Sequence, residues 1–155
     1  MMRSIKPINI FAAISLVIGL AACGGPDVSK DGDEVSIETE KGSMKVSETL
    51  KPEQMPFGFA VLPGATSKGV MSTKNEDGES QIVTLETDKS MEDTAEFYKK
   101  EAEAKGFKIE SETSVDNGKM IIGKSDRGED ISFVISKETS DAATQILIMG
   151  GKNKK

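Results

Sequence analysis

The chain has 155 residues, with 20 basic against 26 acidic side chains, no His, no Trp, one Tyr and one Cys. Its acidic surplus argues against nucleic acid and against a face lying flat on anionic lipid, both of which need basic excess. Without His, and with Cys23 as the lone thiol, a Ser/His/Asp or Cys/His site is impossible and the commonest soft metal ligands are missing.

In chain order, Arg3 and Lys6 precede an apolar run from Ile8 to Leu20. That run has the length of a signal-peptide h-region and falls short of the roughly 20 residues a spanning helix needs. Ala21 and Ala22 are small enough for a peptidase to reach the backbone, and Cys23 can carry a thioether-linked diacylglycerol. Gly24-Gly25-Pro26-Asp27 then breaks any helix. Leu20-Ala21-Ala22-Cys23 resembles the lipobox of bacterial lipoproteins in all four positions. The resemblance implies a signal peptide over residues 1–22, cleavage between Ala22 and Cys23, a covalent lipid on Cys23, and no other cofactor. The alternative, an ordinary secretory signal, would leave an unpaired thiol at the new N-terminus. Cleavage removes Arg3 and Lys6 but no acid, so residues 23–155 carry 18 basic and 26 acidic side chains, a net charge of −8.

From residue 23 to 34 the composition is Gly, Pro, Ser and charge, which predicts a flexible tether. Asp27, Ser29, Asp31, Gly32 and Glu38 stand at positions 1, 3, 5, 6 and 12 of a calcium-loop pattern. The pattern fails at Glu34, where the loop needs an apolar residue, and flanking helices are missing, so no metal site is assigned. Val35, Ile37 and Thr39, then Met44 and Val46 across Lys41-Gly42-Ser43, alternate with polar residues and predict a hairpin over 35–47. Between Glu53 and Ala65, Pro56 and Pro63 punctuate Met55, Phe57, Phe59, Val61 and Leu62. This stretch is too apolar for a linker and too rich in Pro for a central strand, so it is expected to lie along the domain and close one end of the core.

Two strands follow, around Val70 and over Ser80–Thr87, and then a helix over about Met91–Lys105. Ser90 is its N-cap, Gly106 its stop, and Met91, Ala95, Tyr98 and Ala102 its buried stripe, with Phe97 at the edge. Four more strands are expected at Phe107–Val115, Lys119–Lys124, Ile131–Lys137 and Thr144–Met149, with residues 151–155 a disordered tail. The expected fold is α+β: an antiparallel sheet covered on one face by a single helix, β-β-α-β-β-β-β, with an N-terminal hairpin and one domain over 48–150.

Pro63-Gly64-Ala65, Thr87 with Asp88, Phe97-Tyr98 and Gly106-Phe107 resemble a group of small envelope proteins and lipoproteins. That group carries a Tyr-Pro-Gly-Ala entry segment, a Thr-x-Asp strand end, a Phe-Tyr helix pair and a Gly-Trp. Leu62 and Phe107 depart from the pattern, where Tyr and Trp are usual. The resemblance implies a fold and a compartment and no catalytic residues. The acids cluster in turns (Asp77, Glu79, Asp116, Asp126, Glu129, Asp130), where turn formation and solvation account for them. The expectation is a non-catalytic lipoprotein, anchored to the membrane through Cys23, that serves as a binding or accessory module of the cell envelope, with an envelope protein as a candidate partner. Gly24 after the Cys points, by resemblance, to the outer membrane facing the periplasm. The alternatives are a carboxylate-dependent envelope hydrolase and a binder of a small apolar ligand held between helix and sheet.

Overall fold

A computed structural model describes residues 26–153. The signal peptide, its cleavage point and Cys23 lie outside the described residues, as do Lys154 and Lys155.

Among the described residues nine strands form one antiparallel sheet: β1 (Asp27–Asp31), β2 (Glu34–Thr39), β3 (Gly42–Ser47), β4 (Thr66–Asn75), β5 (Gly78–Thr87), β6 (Phe107–Val115), β7 (Gly118–Ser125), β8 (Glu129–Ser136) and β9 (Thr144–Asn153). Their spatial order is β1-β2-β3-β4-β5-β9-β8-β7-β6. The single α-helix among the described residues, α1 (Met91–Ala104), falls between β5 and β6. The described residues are therefore α+β, with one sheet and one α-helix, but five strands precede the helix where four were expected.

The extra strand corrects the expected tether. Asp27–Asp31 pairs with Glu34–Glu38 of β2 across a turn whose Gly32 has φ +62°, with Asp27 opposite Glu38. Every side chain of β1 is exposed, so composition correctly signalled that nothing is buried there. The backbone ladder, which composition does not reveal, is what orders it. The calcium-pattern residues accordingly lie in a hairpin rather than a loop. The 35–47 hairpin is also no appendage, because β3 pairs with β4 from Gly42↔Asn75 to Ser47↔Val70. Asp33 clamps this corner by accepting hydrogen bonds from Thr49 N at 3.0 Å and Ser47 Oγ at 3.1 Å. The bonds from Thr49 hold its carboxyl below the ordinary aspartate range. The expected tail is likewise strand as far as Asn153, since β9 lies between β5 and β8 and both flanks bond its backbone.

The helix forms where its caps dictate. Ser90 Oγ accepts from Asp93 N at 3.0 Å, Glu92 and Asp93 sit at the positive end of the dipole, and Gly106 at φ +82° ends it. Ala95, Tyr98 and Ala102 are buried, together with Thr94, while Met91 and Phe97 are half-buried. A cross-strand row runs along the helix side of the sheet through Ser47, Val70, Val83, Ile148, Phe133 and Ile121, all buried, and the helix packs over its β7–β8 end. Tyr98 stacks on Phe133 with centroids 4.9 Å apart and planes at 22°. Each such fully buried side chain contributes about 1.5–3 kcal/mol from area removed from water.

Candidate functional site

The expected entry segment does close one end of the core. It folds as two short 3-10 turns, Pro52–Gln54 and Pro56–Gly58, that lay Met55, Phe59 and Leu62 onto the helix side of the sheet, each at most 3 % exposed. The helix holds this segment in place by two bonds. Leu62 N donates to Tyr98 Oη at 3.4 Å, and Ala60 N donates to Glu101 Oε2 at 3.2 Å. Burial is the main reason that the Tyr98 hydroxyl is pushed up to about 12. Phe59 and Phe107 meet at 5.6 Å, Phe57 and Phe107 at 5.5 Å, and Phe59 and Phe133 at 5.3 Å, so one aromatic chain links the segment, β6 and β8.

Beyond the helix the segment does not seal against the sheet. Between it and strands β3, β4 and β5 lies a groove of about 460 Å³. Met55 and Phe57 form its apolar wall, with Gly150 of β9 beside them, and Lys45, Ser72 and Gln81 lie along the opposite wall. Glu53, Lys74 and Glu79 stand at its rim, so charge of both signs flanks an apolar patch.

Two backbone features set this wall. Phe57 sits at φ +51°, ψ +25°, a left-handed conformation that is uncommon for a bulky residue and costs on the order of 1–3 kcal/mol. It turns the ring back over β9. Gly150 supplies the space: a Cβ there would stand 2.5 Å from Pro56 Cβ and 2.9 Å from Phe57 Cε2. The entry segment thus rests on glycine backbone.

The alternative reading, a ligand held between helix and sheet, is corrected in its location. That space is filled by Tyr98, Phe133 and Phe59, and the groove lies to one side, where β3 and the entry segment extend past α1. Sequence reading missed it because its wall joins positions over a hundred residues apart. The usable signal was the glycine pair Gly150-Gly151 at the point where a strand pattern gave out.

The turn acids do not assemble into one site. Asp126 pairs with Lys108 at 2.8 Å and Asp130 with Lys124 at 3.2 Å on the surface, while Glu79 reaches the groove rim. Glu129 corrects its reading as a solvated turn acid: it is 8 % exposed and accepts from Arg127 Nε at 2.9 Å and Ser125 Oγ at 2.9 Å, with Lys152 Nζ at 3.6 Å. The Arg127 bond, aided by Ser125, holds its carboxyl below the usual glutamate range. This is a satisfied network that fastens the β7–β8 turn to β9. Among the described residues no group of three or more His, Cys, Asp or Glu is placed to hold a metal, and no helix is long and apolar enough to cross a membrane.

Fold and groove together define a small sheet-and-helix module with an open-sided concavity. A family described as START domain-like matches residues 67–146, just over half the chain, and the protein belongs to that family. No curated protein and no solved structure matches it. The matched span runs from β4 into β9 and includes the helix, but it excludes β1–β3 and the entry segment. The groove therefore forms where this chain's N-terminal extension meets the family body.

Proposed function

We propose that the protein is a non-catalytic binding module of the cell envelope, lipid-anchored through Cys23 at the outer membrane, whose groove takes one small amphipathic ligand. The groove carries this reading: about 460 Å³, with the apolar Met55–Phe57 wall facing Lys45, Ser72 and Gln81, fits a molecule with an apolar body and a polar end. Membership of a START domain-like family supports a binding role over a catalytic one. The hydrolase alternative would use Glu53 and Glu79, the carboxylates at the rim. Both are exposed, and an acid that delivers protons near neutral pH needs a desolvated setting. The anchor rests on the basic, apolar and Leu-Ala-Ala-Cys succession of residues 3–23.

The amphipathic dye anilinonaphthalene sulfonate is a suitable probe. It should bind the folded protein saturably at one site, and Ser72→Phe, which fills the groove from β4, should abolish that binding while the melt stays cooperative. Unchanged dye binding by the folded variant would refute the groove as the site. For the anchor, the mass of the purified mature chain should exceed that of residues 23–155 by a diacylglyceryl group, and Cys23→Ser should lack the increment.

A further inference from the structure

The strands of a half-buried antiparallel sheet alternate because one face packs and the other is hydrated. In β1–β4 the alternation is present but points the wrong way for the helix. Asp27, Asp31, Glu34, Glu38, Lys45 and Lys74 lie on the helix side, and Val28, Val35, Ile37, Met44, Val46 and Met71 lie on the opposite, uncovered side. The apolar set does not stop there. Register carries one row straight across the uncovered face through Val35, Val46, Met71, Ile82, Met149, Ser132 and Ile122. A second row runs Thr84, Leu147, Val134 and Met120. Val46, Met71 and Met120 are 40, 37 and 38 % exposed.

Charge is absent from the middle of this face in a chain that is 30 % charged. Between the apolar side chains stand only Ser, Thr, Gln and Gly: Thr73, Ser80, Thr84, Ser132, Ser136, Gln145 and Gly151 on their strands. At its margin Lys68 pairs with Glu86 at 3.0 Å and Lys124 with Asp130 at 3.2 Å, while Lys30, opposite Val35 on the edge strand β1, shares this side of the sheet.

We propose that this face is a homodimer interface, two copies packing sheet to sheet. Seven strands from β2 to β7 at about 4.8 Å spacing, five of them eight to ten residues long, make a face of roughly 800 Å², the area each partner gives to a standard interface. The mature net charge of −8 disfavours an anionic bilayer as the occupant, since such binding needs a basic excess. A second copy requires none: two faces without charge at their centres meet without repulsion there, and the marginal ions stay at the rim of the contact. Contact between two such faces buries apolar rows that are now the largest uncovered ones on the sheet.

The test is the mass of the full chain in mild detergent, by light scattering with the detergent contribution subtracted. Two chains per particle are expected, with a dissociation constant insensitive to added salt because no ion pairs cross the interface. Met71→Lys and Met120→Lys, both at exposed positions, should each weaken association on the order of tenfold or more by burying an unpaired charge. Ser36→Lys, on the helix side of β2, should leave it unchanged, and circular dichroism melts establish that all three variants fold. A monomeric wild type, or a dimer indifferent to Met71→Lys and Met120→Lys, overturns the proposal. So does a monomer whose open face becomes protected from hydrogen exchange only on phosphatidylglycerol vesicles, which would assign the face to lipid.

Discussion

Gly150→Ala is the most direct probe of how the groove wall is held. The added methyl would stand 2.5 Å from Pro56 Cβ and 2.9 Å from Phe57 Cε2. Carbon atoms at rest sit about 3.5–4.0 Å apart, so the entry segment must retreat by roughly 1 Å. Pro56 is buried and Phe57 is wedged against Phe107, so the segment cannot yield by a rotamer change alone, and such overpacking costs about 1–3 kcal/mol. For a domain of this size that lowers Tm by roughly 5–10 °C. Gly151→Ala is the matched control: its Cβ would meet Glu79 O at 3.7 Å and Ser80 Cβ at 3.8 Å, ordinary contacts on the other face. It should be neutral or slightly stabilising, because Ala loses less conformational freedom on folding than Gly. Thermal melts by circular dichroism compare the two, and dye titration reports on the wall itself, which should bind more weakly only in the Gly150 variant. Equal melting shifts for both alanines would refute the reasoning that β9 carries the segment at Gly150.

Two further outcomes check the core and its electrostatics. Tyr98→Ala should cost about 3–5 kcal/mol in urea unfolding through loss of a fully buried ring and its stack on Phe133, whereas Glu96→Ala, which loses only the exposed ion pair with Lys100, should change stability by less than about 0.5 kcal/mol; similar values for the two would mean that the helix face is misassigned. Glu129 has a folded pKa below its ordinary value, so its contribution is full above an unfolded pKa of about 4.3 and is lost as pH falls through the lower folded value. Urea midpoints measured from neutral to acid pH should therefore fall less steeply for Glu129→Gln than for wild type, and parallel curves would refute the network's role.

What could be read from the sequence was local. The helix with its Ser90 cap and its Ala95-Tyr98-Ala102 stripe, and strands such as Ile131–Ser136, depend on spacing and capping within a few residues, and the structure has them where those signals lie. What escaped depends on pairing between distant segments. Asp27–Asp31 has no apolar side to announce it and is a strand only because Glu34–Thr39 offers a backbone edge. Glu129 gives no hint of burial until Ser125 of β7, Arg127 of the turn and Lys152 of β9 surround it. The groove needed β3, β5, β9 and the entry segment at once.

The N-terminal extension is also where the local and long-range signals conflict, and the conflict bears on function. Alternation in Val35–Thr39 and Met44–Val46 promises a packed face, and the register with β4 aims that face away from the helix. The same alternation sends Ser43 and Lys45 to the helix side, where no helix covers them, and this leaves the polar wall of the groove. One set of strands thus supplies half of the groove on one face and the start of the apolar row on the other. A shift of β3 by a single residue against β4 would exchange the two, placing Val46 and Met44 in the groove and Lys45 in the middle of the charge-free face. The groove and the open face therefore stand or fall on the same pairing, which Asp33, through Ser47 and Thr49, pins at its corner.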